Sequence, residues 1–282
     1  MGRWRIAALT ALALLAFAGN SLLCRAALGR GAIDAANFTS IRLLSGAIAL
    51  WAIARLRADG APGAGNWPSA LALFAYAAGF SFAYLALTAA TGALLLFGAV
   101  QATMIGHGLA RGERMTPRQW LGLCLALGGL LWLLLPGVSA PPLDAALLML
   151  AAGVAWGVYS LRGRRGGDPT GVTAGNFLRA VPIAAVLSAL LAAHAHAQPV
   201  GVAQAVVSGA LTSGVGYAIW YRVLPALKAT QAATLQLSVP LIAAMGAVVL
   251  LGEAMSVRLW VAAAAILGGI ALATLRRRDD AR

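Results

Sequence analysis

Apolar residues run along this chain in blocks of about 20, the length that crosses a bilayer, separated by short breaks where Gly, Pro and charge collect. The first five blocks cover 6–26, 35–54, 68–88, 91–110 and 118–136. The second five cover 143–161, 172–193, 201–221, 229–251 and 257–275. Lipid offers no partner to an unpaired backbone group, so segments of this kind have to be helices. The pattern therefore predicts an all-α, polytopic membrane protein with ten transmembrane helices. The breaks, such as Arg55 to Pro68, Arg111 to Pro117 and Arg162 to Pro169, are too short to hold a soluble domain. At the start, Arg3, Arg5 and Ala16-Phe17-Ala18 imitate a cleavable signal peptide. The apolar run continues through Leu22, Leu23, Ala26 and Ala27, so the segment is read as an uncleaved first span.

The second pattern is internal. Gly112-Glu113-Arg114-Met115-Thr116 and Gly252-Glu253-Ala254-Met255-Ser256 stand 140 positions apart, and the same offset sets Arg118 against Arg258 and Trp120 against Trp260. Leu127-Gly128-Gly129 then meets Leu267-Gly268-Gly269. Earlier in each half, Arg42 pairs with Arg179, and each follows an Asn-Phe (Asn37-Phe38, Asn176-Phe177). The chain thus divides into 1–138 and 139–282, two five-helix repeats. Five is odd, so the second repeat enters from the opposite membrane face and the two are inverted. Secondary transporters are built this way, with the substrate at mid-membrane between the repeats.

Composition sharpens the reading. Hydrophobic residues make up 61% of the chain and charged residues 10%, with a mean hydropathy of +0.84. Soluble domains carry about 25% charge, so lipid is the solvent and a partner here. The net charge of +13 suggests nucleic acid until its placement is read. With the N-terminus inside, sixteen Lys/Arg fall in cytoplasmic segments and only Arg25, Arg30 and Arg258 outside, while Arg42 and Arg179 lie within spans. That asymmetry is the positive-inside rule, and it predicts a bacterial-type inner membrane protein with both termini cytoplasmic. Nucleic-acid binding is set aside.

Metal and cofactor sites are not expected. Cys24 and Cys124 both lie in apolar helices, and the His194-x-His196 pair sits in a polar break with no further ligand. No GxxxxGK[ST] motif is present to drive transport with ATP. Catalytic residues are not assigned either: Ser213 before Gly214 suggests an intramembrane serine protease, but no histidine other than His107 lies within a span to partner it.

The two Gly-Glu-x-Met-[Thr/Ser] corners, each followed by Trp and Gly-Gly, carry a resemblance that extends over the whole chain. With Leu237-Ser238-Val239-Pro240, Ala155-Trp156-Gly157 and the Arg42/Arg179 pair, the chain resembles the drug/metabolite transporter superfamily, EamA type. Val100 stands opposite Pro240, so the fourth span lacks a proline that the family frequently carries. The resemblance implies export or facilitated movement of small organic metabolites, amino acids among them. Sugar-phosphate or nucleotide-sugar carriers share the fold and are the alternative, although they need more cavity cations.

Polar groups inside spans are costly and mark the candidate site. They are Asn20 and Ser21 in the first span, Tyr84 in the third, Gln101 and His107 in the fourth, Trp156 and Tyr159 in the sixth, Tyr217 in the eighth and Gln236 in the ninth. Trp220 and Tyr221 are read first as interfacial anchors. Arg42 and Arg179 are candidate clamps for a substrate carboxylate, with snorkelling or a structural bond as the other reading. Glu113 and Glu253 sit at helix-end corners and are expected to accept from free amides of the next helix. None of the eight acids lies mid-span, which predicts a facilitator or exchanger, with His107 the one remaining proton carrier. Monomer and homodimer are equally open.

Overall fold

The computed structural model describes residues 2–56, 64–112, 114–137, 139–163, 168–227, 232 and 235–274. Glu113, Arg57, Arg164, Arg165, Lys228 and the basic residues after Thr274 lie outside the described residues. The fold is all-helical: α1 (Arg3–Leu28), α2 (Ala35–Arg55), α3 (Trp67–Ala83), α4 (Ala89–Ala110) and α5 (Pro117–Leu134) come first. There follow α6 (Leu143–Arg162), α7 (Pro169–Leu190), α8 (Pro199–Ala226), α9 (Ser238–Leu251) and α10 (Val257–Thr274). Among the described residues, eight of these are long and apolar enough to cross a membrane, while α3 and α9 are shorter apolar helices. The polytopic helical fold expected from the hydrophobic blocks is therefore present.

The departures from the expected boundaries have local causes. The third block was expected to run to 88, but α3 stops at Ala83 because Thr88 accepts from the Thr91 amide and starts α4. The ninth block is interrupted at Leu237, and Ser238 Oγ donates to Leu235 O at 2.6 Å. Pro240 explains the break, since it has no N–H and its ring crowds the preceding turn. Val100, its counterpart, leaves α4 continuous.

The repeated corner motif has a plain physical meaning. Gly112 and Gly252 adopt left-handed backbone (φ 85° and 69°), ending α4 and α9 as only glycine does cheaply. Thr116 then accepts from the Gln119 amide and Ser256 from the Leu259 amide, starting α5 and α10. The Thr/Ser match is thus a match of helix caps. Asp34 and Asp168 begin α2 and α7 in the same way.

Helix packing follows a regular scheme. α2 lies against α7, α5 against α10, and α4 against α9. α3 and α4 both pack on α6, as α8 and α9 both pack on α1. α5 and α10 meet where a Cβ on Gly122 would lie 2.5 Å from the Gly269 carbonyl, and one on Gly269 the same distance from Gly122 O. Such close approach is how helices associate where lipid removes the hydrophobic drive.

At one end of the bundle, the α1–α2 and α7–α8 connections are tied together. Ile33 and Ala197 form a bridge, Asp34 N donates to His196 O, and the Asp34 carboxylate receives the amides of Asn37 and His196. Partial burial pulls the Asp34 carboxyl upward, and those donors outweigh it, leaving it below the usual carboxylate value.

Candidate functional site

Helices from both halves enclose a cavity of about 600 Å³. Each contributes a stripe at helical spacing: Phe17, Asn20 and Ser21 from α1; Tyr76 and Phe80 from α3; Phe97, Val100, Gln101 and Met104 from α4. Trp156, Tyr159, Ser160 and Gly163 come from α6, Tyr217, Trp220, Tyr221 and Leu224 from α8, and Gln236 from before α9. Among the described residues, no charged side chain lines it. It runs from mid-helix to the ends of α6, α7 and α8 at Gly163, Pro169 and Leu227.

α8 reaches this face through an irregularity. Residues Ser208–Val215 form a π-helical segment, with turns wider than those of an α-helix. Thr212 and Tyr217 are five residues apart and would diverge on a regular helix, and the wide turns bring both to the cavity. Gly209 lets this segment lie directly against α2, since a Cβ there would overlap the Arg42 carbonyl and the Ser45 hydroxyl.

The walls are largely aromatic. Trp156 stacks on Tyr159 and on Tyr217, with centroids 5.3 Å apart in both pairs, and Tyr76 lies 4.8 Å from Trp156. Phe17 packs on Tyr217 and Trp220 at 5.7 and 5.8 Å. A polar seam crosses this surface. Asn20 Oδ1 accepts from Ser208 Oγ at 2.6 Å, Asn20 Nδ2 donates to Tyr76 Oη at 3.3 Å, and Arg42 Nη2 donates to the same oxygen at 2.9 Å. Four helices, α1, α2, α3 and α8, are thereby joined through one phenol.

Of the residues singled out from sequence, Asn20, Ser21, Gln101, Trp156, Tyr159, Tyr217 and Gln236 come together on the cavity wall. Arg42, Tyr84, His107 and Arg179 do not line it. Arg42 is buried behind Tyr76, with its guanidinium 5.2 and 5.0 Å from the Tyr76 and Phe80 ring centroids. Tyr84 is buried beyond Phe80 and donates to Ala89 O. His107 is exposed near the end of α4, and Arg179 is half-buried, with Nη1 donating to Gly175 O. Trp220 and Tyr221 face the cavity, where an anchoring position was expected. Tyr76 and Phe80 were missed altogether. Their signal was the i, i+4, i+8 aromatic ladder Tyr76–Phe80–Tyr84, of which sequence reasoning took only the last member.

Beyond the other end of the cavity stands an ion pair. Arg25 Nε donates to Glu253 Oε1 at 2.8 Å, the side chains being 22% and 13% exposed. Glu253 Oε2 accepts from the Ala89 amide at 2.8 Å, so the corner carboxylate caps α4 and not the following helix. Arg25 Nη1 also donates to the carbonyls of Tyr84 and Leu85, pinning the α3–α4 turn.

Comparison with known proteins adds a family and a fold. The EamA-like transporter family matches residues 143–275. An uncharacterized protein of Pseudomonas aeruginosa is 60% identical over 267 residues, which cover 94% of this chain and 92% of that one. The threonine/homoserine exporter RhtA of Salmonella typhimurium is 35% identical over 149 residues, 50% of this chain and 49% of the exporter. Its Escherichia coli K12 namesake is 31% identical over 175 residues, 59% of this chain and 58% of that one. The chain therefore spans about half the length of the exporters it matches. A protein of known crystal structure shares the fold, with a TM-score of 0.68 at 22% identity over 97% of this chain and 98% of its own.

Proposed function

Since the chain belongs to the EamA-like transporter family, a family of membrane transporters, we propose that it exports small organic metabolites, foremost amino acids or related compounds. The observation that carries this reading is the cavity: about 600 Å³, lined by helices of both halves, aromatic and hydrogen-bonding, with no charged lining residue among those described. Such a space holds a solute of amino-acid size, and its described lining residues include no acid–base or nucleophile pair for chemistry. A sugar phosphate brings a doubly charged group that wants several direct cationic partners, and among the described residues no Lys or Arg lines these walls.

The mechanism is alternating access between two inverted five-helix repeats, 1–138 and 139–282, which together make ten spans. Support comes from the packing scheme: exchanging the halves turns α3–α6 contact into α8–α1 and α4–α6 into α9–α1, and leaves α2–α7 and α5–α10 unchanged. With both termini cytoplasmic in the inner membrane, the ends of α6, α7 and α8 that the cavity reaches face inward. The Arg25–Glu253 pair then belongs to the outward closure. Among the described residues no carboxylate lines the cavity, and His107 lies outside it, which supports movement down a substrate gradient or by exchange.

Counterflow in proteoliposomes tests the reading. Vesicles preloaded with unlabelled threonine, homoserine or other amino acids are expected to accumulate the labelled solute transiently. Flux of no solute in the panel overturns the transporter reading, and accumulation driven by a pH gradient overturns the facilitator or exchanger.

A further inference from the structure

One donor on the cavity wall is unspent. Tyr76 Oη accepts from Arg42 Nη2 and from Asn20 Nδ2, and both nitrogens can only donate. The Asn20 amide is oriented by Ser208, whose hydroxyl donates to the amide oxygen at 2.6 Å. The phenol's lone pairs are therefore committed, and among the described residues its proton has no acceptor. Tyr76 and Asn20 both line the cavity, which sets the oxygen they share beside whatever occupies it.

The charge behind the phenol decides what kind of acceptor fits. Arg42 is 1% exposed, and Ser213 Oγ accepts from its Nε at 3.4 Å. Its Nη1 has no partner, and the one ion pair among the described residues is elsewhere, between Arg25 and Glu253. A buried cation without a carboxylate imposes a positive potential on nearby low-dielectric space. A neutral carbonyl answers the hydroxyl, while an anion answers both the hydroxyl and the field.

We propose that the wall at Tyr76 is a carboxylate subsite of this transport cavity, an inference that rests on the transporter reading above. The Tyr76 hydroxyl donates to one carboxylate oxygen, and Arg42, one layer back, supplies the balancing charge through the phenol it holds in place. Beside it, the aromatic wall of Trp156, Tyr159 and Tyr217 takes the apolar body and, in a zwitterion, the ammonium group by cation–π attraction. The ligand class is a compact monocarboxylate with an apolar or planar body, amino acids included. Amines without a carboxylate are disfavoured.

Calorimetric titration of the purified full chain with L-phenylalanine, phenylacetate and phenethylamine tests this. Both carboxylates are expected to bind, and phenethylamine about tenfold more weakly or worse. Tyr76→Phe is expected to weaken both carboxylates about tenfold and leave the amine unchanged. The wild-type comparison decides the matter even where the variant does not fold. Amine binding as tight as that of the carboxylates, or no carboxylate binding, overturns the subsite. Counterflow that ignores the carboxylate removes this inference and leaves the transporter reading, whereas loss of all counterflow removes the transporter reading first.

Discussion

Arg42 and Arg179 lie on helices that pack against each other, four and two residues after an Asn-Phe, and under the proposed repeat they are counterparts, yet their surroundings differ. Arg42 is wholly buried under two aromatic rings and holds the Tyr76 hydroxyl, while Arg179 is half-buried and donates back to the Gly175 carbonyl of its own helix. The Arg42 rings belong to α3, and α8, its counterpart in the scheme, instead spends its wide turn bringing Thr212 and Tyr217 to the cavity. Under the proposed repeat, counterpart positions therefore carry unlike chemistry: helices of both halves line the cavity, but the buried arginine that holds a wall phenol lies in the first half.

The largest expected effect breaks that comparison directly. Arg42→Ala is expected to cut counterflow by about tenfold or more, because it removes the buried charge and frees Tyr76 to turn away. Arg179→Ala is expected to change it by less than about twofold, since an arginine half in water contributes little. Equal losses would show that the two arginines do one job.

A second contrast sets the Arg25–Glu253 corner against the cavity. Removing one partner of a mostly buried pair costs on the order of 3 kcal/mol. Glu253→Ala also strips the cap from the Ala89 amide. Lower thermal stability, with solute affinity at the cavity unchanged by calorimetry, is the expected outcome. Changed affinity would mean that the corner and the cavity are one unit. Next in size, Gly209→Ala forces α2 and α8 apart beside Arg42, at about 1–3 kcal/mol of overpacking, read as a lower melting temperature. The same change at Gly128, where a Cβ meets nothing within 4 Å, is expected to leave melting unaltered.

The smallest effect concerns Asp34. Its carboxyl sits below the usual value in the folded state, so its bonds stabilise the loop pairing above the unfolded pKa and lose that contribution as pH falls through the folded one. Asp34→Asn is expected to flatten the acid limb of the melting-temperature profile, and an unchanged limb would count against that role.

The frame was readable in the sequence because its causes are local. Apolar length predicts helices, and the Gly-Glu-x-Met-[Thr/Ser] corners encode a left-handed helix end followed by a cap. The site was half readable. Asn20, Gln101 and Trp156 stand out as polar or aromatic groups within apolar runs, and they do meet at the cavity. The placement of Arg42 behind Tyr76 depends on where α2 and α3 come together, which no spacing within either helix encodes. Trp220 and Tyr221 read as anchors from their nearness to a helix end, although Tyr217, Trp220, Tyr221 and Leu224 already form one helical stripe.

The most direct test of the account asks which membrane face reaches each end of the site. In a Cys24→Ala, Cys124→Ser background, Ser160→Cys on the cavity wall and Leu85→Cys beside Arg25 are treated with a membrane-impermeant thiol reagent from either side. The account predicts that residue 160 reacts only from the cytoplasmic side, more slowly when substrate is present, and that residue 85 reacts only from the outside. Labelling of both from one face would contradict the inverted arrangement and the alternating access built on it.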